Sequence, residues 1–315
     1  LHTSAIGGAA AVAVCVALVV AAAVLTSMRP AAGQAQRRPD ISSWRHPTAT
    51  SRRNPIAASP PRPAAPTVRP ISVKAAAAFG QAHGLRVGVA VADLTRGRIA
   101  VAGDPGYFGT ASVVKVLVAA KMLLTGAMRG TDGALAYEMV TRSDDDDCSA
   151  LWARYGGPSI VTWLGHHYGL DIGLPNLRSG FWGNTRVTAR GLAAFYLAAV
   201  RDPAVGPWLA DAMAHTTRTA ADGTNQYFGI PAAGGGHVIK QGWGTASSGD
   251  GYAPDATLNT TGIVTAGATR YAVVILTEGH GNDGAADARG YVPGQGALLT
   301  EMARRVITEL RSAQP

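Results

Sequence analysis

One long apolar helix, headed by Ser112-Val113-Val114-Lys115, limits this chain to folds that bury a helix on all sides. Residues 111–128 repeat Val, Leu, Ala and Met with little polar relief, so the helix belongs between layers and not on a surface. Ser112 and Lys115 are three residues apart, and such positions share a helical face, which brings the amine toward the hydroxyl. A free serine is a weak nucleophile that an adjacent amine activates by accepting its proton. The N-terminus of a helix also favours negative charge developing at Ser112. The same residues admit a structural reading, because serine is a favoured helix cap and a buried lysine is usually paired. By itself, S-x-x-K arises by chance in many helices.

The rest of the chain falls into three parts. Residues 5–28 contain no Asp, Glu, Lys or Arg and consist mainly of Ala, Val and Leu. A run of roughly 20 such residues is long enough to span a bilayer. We therefore expect residues 1–28 to be an uncleaved membrane anchor, with a cleaved signal at Gly33-Gln34-Ala35 as the alternative. Residues 29–72 hold nine of the eighteen prolines among Ser, Thr, Ala and Arg, a composition that reads as an extended, disordered tether. Residues 73–315 form the expected globular domain. The formal charge of +8 resides wholly in residues 29–74, with nine basic groups against Asp40, whereas residues 75–315 hold nineteen of each sign. The globular part therefore needs no polyanion as a partner, and nucleic acid is not expected. Cys15 reads as a packed membrane residue, since Val14 before it suits lipid attachment poorly. No disulfide between Cys15 and Cys148 is implied.

Local patterning predicts helices at 74–83, 111–128, 134–142, 147–155, 157–168, 188–200 and 294–311. Strands are predicted at 87–94, 98–103, 237–243, 257–266 and 270–277, with a glycine turn at 234–236.

Two further motifs follow the first in order: Ser143-Asp144-Asp145 and Lys240-Gln241-Gly242. With SVVK intact, SDD for S-D-N and KQG for K-T-G, residues 75–315 resemble the penicillin-recognising serine hydrolases, meaning class A β-lactamases and penicillin-binding proteins. The strands at 87–94 and 98–103 are similar to the opening hairpin of that family. The resemblance implies an α/β fold, an antiparallel sheet flanked by helices plus a reduced all-helical subdomain. It also implies an extracytoplasmic placement, although arginines just after the apolar run favour the opposite topology. By the same resemblance, Ser112 is the nucleophile, Lys115 its base and Ser143 the relay to the leaving group. Lys240 is an ammonium that attracts a substrate carboxylate, and Gly242 keeps the strand open. The backbone N–H groups of Ser112 and Trp243 would form an oxyanion hole.

Two departures matter chemically. Asp145 stands where the family has Asn, and an ionised Asp accepts but cannot donate to a substrate carbonyl. A carboxylate there also stabilises a charged Lys115 and makes it a poorer base. Gln241 removes a hydroxyl that helps to bind the substrate carboxylate. A third difference is an absence: there is no Glu between Glu138 and Glu278, whereas class A β-lactamases use one to activate the deacylating water. Asp171, the one acid in the 170–176 stretch, is not a good substitute.

No metal or cofactor is implied. The acidic run 144–147 lacks spaced oxygen ligands, and the adjacent His166 and His167 diverge on a helix, while His237 and His280 stand alone. The expected function is that of an exported, membrane-tethered serine hydrolase acylated at Ser112 by β-lactams or peptidoglycan-derived D-alanyl peptides, with slow deacylation. One alternative keeps the fold as a catalytically impaired binding module of the cell envelope. Another is a polymer binder acting through residues 29–74.

Overall fold

A computed structural model of the chain describes residues 69–174, 181–244, 256–279 and 293–314, all within one compact unit, Pro63–Pro315. The expected anchor, most of the tether and His280 lie outside the described residues. Among the described residues no helix is long and apolar enough to cross a membrane.

The helices are α1 (Lys74–Ala82), α2 (Val114–Leu124), α3 (Gly130–Thr141), α4 (Asp145–Arg154), α5 (Ile160–Tyr168), α6 (Ala189–Arg201), α7 (Gly206–Ala214) and α8 (Pro293–Ser312). The strands are β1 (Arg86–Asp93), β2 (Ile99–Gly103), β3 (Phe108–Gly109), β4 (Gly173–Leu174), β5 (Arg186–Val187), β6 (Ile239–Gly244), β7 (Thr257–Ala266) and β8 (Thr269–Glu278). The five long strands form one antiparallel sheet in the order β2-β1-β8-β7-β6. The early strands β1 and β2 meet the late strands β6, β7 and β8 in this sheet, with helices inserted between them in sequence, which is the expected architecture.

Side-chain alternation divides the core into two layers. Val87, Val89 and Val91 of β1, with Val273 and Ile275 of β8, face Ala76 and Ala77 of α1 and Met302, Val306 and Ile307 of α8. The opposite face offers the small side chains Ala90 and Ala92, together with Ala272, Val274 and Leu276. Those small residues let α6 pack against β1. Beyond this layer, α2 is buried along nearly its whole length among α3, α4, α5 and α7. Each fully buried Val, Leu or Met contributes about 1.5–3 kcal/mol, which explains why the sequence tolerates no polar face there.

The element boundaries move for local reasons. The helix expected over 111–128 is a 3-10 turn at Ala111–Val113 followed by α2, and Gly126 at φ 69 follows its end. The helix expected from 147 begins at Asp145, because the Asp144 carboxylate accepts the Asp147 N–H at 3.0 Å as an N-cap. The segment expected as one helix at 157–168 opens with a 3-10 turn, Gly157–Ser159, after Gly156 at φ 93. Helix α7, with Pro207 in its first turn, is not foreshadowed by periodicity. Strands β3, β5 and β4 form a small second sheet that ties the loop after α5 to the residues before Ser112.

Candidate functional site

The turn that presents Ser112 is fixed from three directions. Asn259 of β7 donates its side-chain amide to the Gly109 and Thr110 carbonyls at 2.8 and 3.1 Å. Glu278, itself paired with Arg86 at 2.6 Å, accepts the Gly109 N–H at 2.8 Å. The Thr110 N–H donates to Thr185 O at 2.9 Å. Ala111 then adopts φ 43, a conformation uncommon for a residue with a side chain. Ser112 does not cap the helix: Thr110 and Val113 occupy the cap positions, and neither makes a side-chain capping bond. Its N–H precedes that of Val113, the first donor of the turn, which reaches Thr110 O at 3.1 Å.

Strand β6 lies against this turn. A Cβ added to Gly242 would stand 2.6 Å from Thr110 O, with Val113 and Ala111 side-chain atoms at 3.2 and 3.3 Å. Glycine is therefore required by close approach of two backbones, and this brings the strand carrying Trp243 alongside Ser112. The Trp243 side chain points elsewhere, donating its Nε1–H to Asp222 at 2.9 Å and meeting the Phe228 ring edge-on.

Ser143 links the two lysines. It sits at φ 57 between α3 and α4, held by its neighbours: Thr217 N–H and Gln226 Nε2 donate to Thr141 O at 3.0 and 3.1 Å, and Ala221 N–H to Arg142 O at 2.7 Å. Lys115 Nζ reaches Ser143 O at 2.6 Å, Ser143 Oγ at 3.3 Å and Asp145 Oδ1 at 2.6 Å. Lys240 Nζ lies 2.8 Å from the same Ser143 Oγ. Both lysines are fully buried, whereas the Asp145 side chain is 62% exposed. Lys240 therefore does not face water at a sheet edge. Burial and the nearby Lys115 charge push its pKa well below the usual lysine value.

The structure thus brings Lys115, Ser143, Asp145 and Lys240 into direct contact, and Gly242 and Trp243 onto the strand beside Ser112. Lys115 bonds to Ser143 and Asp145. Gln241 donates its amide to the backbone carbonyls of Gln226 and Phe228, so it serves the packing behind β6. Asp171 is exposed, and its carbonyl lies against Gly191 at the start of α6. Residues 175–180, which follow Asp171 in the sequence, lie outside the described residues. Cys148 is buried on α4, and burial pushes its thiol up to about 12, which keeps it unreactive. Among the described residues no cluster of three or more His, Cys, Asp or Glu side chains is placed to hold a metal.

Two contributors escape a motif reading. Trp182 lays its ring 4.6 Å from Lys115 Nζ and donates its Nε1–H to Ser149 Oγ at 3.1 Å. Asn259 is a buried polar residue within a β-branched strand, and that alone is the sequence signal for it.

No family model matches the chain. Proteins named "Putative lipoprotein LppW" from Mycobacterium bovis and Mycobacterium tuberculosis are 31% identical to it over 187 residues, covering 55% of this chain. The chain spans 59% of the length of those curated relatives. Among solved structures, the β-lactamase from Burkholderia phymatum superposes with a TM-score of 0.55 at 18% identity, over 76% of this chain and 98% of that one. A mutant of the last common ancestor of Gram-negative bacteria class A β-lactamase gives 0.54 at 18% identity, over 74% and 96%. A mutant of PBP-A, solved as an acyl-enzyme complex with penicillin G, gives 0.54 at 19%, over 79% and 100%. The antiparallel sheet with its flanking helices is therefore the fold shared by class A β-lactamases and penicillin-binding proteins, the fold of the penicillin-recognising serine hydrolases.

Proposed function

We propose that this chain is an extracytoplasmic serine hydrolase whose Ser112 is acylated by β-lactams or D-alanyl peptides, and whose acyl-enzyme clears slowly. The observation that carries the reading is the Ser143 hydroxyl, which lies within bonding distance of both buried lysines beside the turn of Ser112. Such an arrangement serves proton movement, since two buried amines on one hydroxyl are costly as mere packing. Ser112 attacks the substrate carbonyl, and the N–H groups of Ser112 and Trp243 receive the oxyanion. Donors of that kind are worth about 3–4 kcal/mol in the transition state. Ser143 then passes a proton to the leaving nitrogen.

Slow deacylation follows from the missing glutamate, because general-base help contributes about 10²–10⁴-fold. The Trp182 ring over Lys115 adds to this by covering one face of the amine against water. Placement outside the cytoplasm draws on residues 5–28 and on the lipoprotein name of the mycobacterial relatives. Asp145 and Gln241 favour a second reading, a binding module of the same fold that no longer turns over.

Incubation of the purified protein with a fluorescent penicillin, followed by mass spectrometry, separates the two. The proposal expects one adduct on Ser112, lost in Ser112→Ala, and little turnover of a chromogenic cephalosporin. No adduct at neutral or alkaline pH would leave the binding module. Rapid turnover that depends on Ser112 would overturn slow deacylation.

A further inference from the structure

The two lysines of the site are not equivalent, and the way each is solvated separates their roles. An ammonium has three donors and no acceptor. Those of Lys115 are all accounted for, on Ser143 O, Ser143 Oγ and Asp145 Oδ1, with the Trp182 ring against the cation as well. Lys240 has one short contact, to Ser143 Oγ at 2.8 Å, and a long one to Gln241 O at 3.4 Å. Among the described residues no carboxylate forms an ion pair with it.

From this geometry we propose that Lys240 is the neutral amine of the site and Lys115 a fixed ammonium held by Asp145, so that the proton leaving Ser112 travels through Ser143 onto Lys240. The inference rests on reading the site as one for acyl transfer to Ser112. Because Lys115 donates to Ser143 Oγ, the Ser143 hydrogen is free to point at the Lys240 lone pair. As the bond from Ser112 Oγ to the carbonyl carbon forms, the Ser112 proton moves to the Ser143 oxygen and the Ser143 proton moves to Lys240. When the C–N bond breaks, Lys240 returns its proton to the Ser143 oxygen while the Ser143 proton passes to the leaving nitrogen, which takes up the electron pair of the broken bond. The site ends with the charge it began with.

The charges around Lys240 agree with this assignment. Lys115 faces it from α2, Asp145 and the Cys148 thiol from α4, and Asp222 from the loop before β6, with the Trp243 ring at 5.9 Å. Burial and the Lys115 charge outweigh the two carboxylates, so the pKa of Lys240 falls. The substitution that creates this asymmetry is Asp145, because an amide there would give neither lysine a counter-ion.

The chain has four lysines, Lys74, Lys115, Lys121 and Lys240, which makes a direct titration practical. Lysine labelled with ¹³C at Cε gives four signals; Lys74→Arg and Lys121→Arg identify two of them. The buried pair is told apart by through-space contact to Trp182, which lies on Lys115, or to Trp243, which lies near Lys240. The expected result is a Lys240 signal that converts to the neutral amine well below the ordinary lysine value of about 10.4. A Lys240 signal that stays ammonium up to that value overturns the proposal.

The rate of acylation by a fluorescent penicillin should rise with pH along the Lys240 transition. Asp145→Asn should move that limb down by about one pH unit, because it withdraws a negative charge from both amines. A limb that follows Lys115 overturns the proposal. If the Lys240 signal converts as expected but no acylation occurs at any pH, the assignment of the neutral amine stands, and the proton-transfer step fails together with the acyl-transfer reading.

Discussion

Asp145 sets a carboxylate oxygen 2.6 Å from the Lys115 nitrogen, the carboxylate largely in solvent and the amine wholly out of it. The amine is fully buried, so removing its carboxylate leaves a buried charge without its counter-ion, a change that costs about 3–5 kcal/mol when a buried pair is broken. Asp145→Asn should therefore lower the unfolding free energy by up to that amount, moderated by the two Ser143 oxygens that also accept from Lys115. At neutral pH it should raise the penicillin acylation rate about ten-fold, a fraction of full general-base assistance. Stopped-flow acylation and urea denaturation of the two proteins measure both quantities.

Gly242 is constrained by backbone on the other side. A methyl group there would meet Thr110 O at 2.6 Å, and neither strand nor turn can yield without separating Trp243 from Ser112. Gly242→Ala should lower acylation by about 10²–10³-fold through the oxyanion donors, while overpacking lowers stability by about 1–3 kcal/mol. A loss of stability with acylation intact would show that Trp243 N–H does not serve the oxyanion.

Ser143 combines strain with chemistry, being one of two non-glycine residues at positive φ among the described residues, with Ala111. Replacing it by glycine relieves the backbone, whereas alanine keeps the strain, and both remove the hydroxyl. Ser143→Gly should thus be more stable than Ser143→Ala by about 1 kcal/mol, with both equally slow in acylation. Thermal unfolding and adduct formation, measured side by side, test the two halves.

Asp93 gives the acid dependence. Its burial disfavours the charge, but the Arg96 amide and guanidinium and the Thr95 amide outweigh this and hold its pKa below the usual carboxylate range. A lowered pKa means that the unfolded chain takes up the proton first. The stabilisation is then present above the unfolded value, about 3.9, and is lost as pH falls through that value toward the folded one. Denaturation between pH 6 and 3 should show a shallower loss of stability in Asp93→Asn than in the parent protein.

Much of the architecture was legible because its signals are local. The apolar run after Ser112, the β-branched strands at 257–266 and 270–277 and the glycine turn before β6 are period and turn signals. The segments that slipped, such as the shortened α2 and the unforeseen α7, end or begin on caps and glycines that periodicity does not register. The three motifs identified the residues of the candidate site. Trp182 and Asn259 stayed hidden, since each works through a contact with a segment far away in sequence.

The sequence by itself determined that Ser112 and Lys115 stand three residues apart, that Asp145 replaces an amide and that the segment between Glu138 and Glu278 lacks a glutamate. Those facts are one-dimensional and survive any packing. Only the tertiary structure decided how each amine is solvated: α4 carries Asp145 to Lys115, and β6 carries Lys240 into a wholly buried position against Ser143. A lysine stem is long and flexible, so its head group settles where distant elements supply acceptors, and its charge follows from that environment.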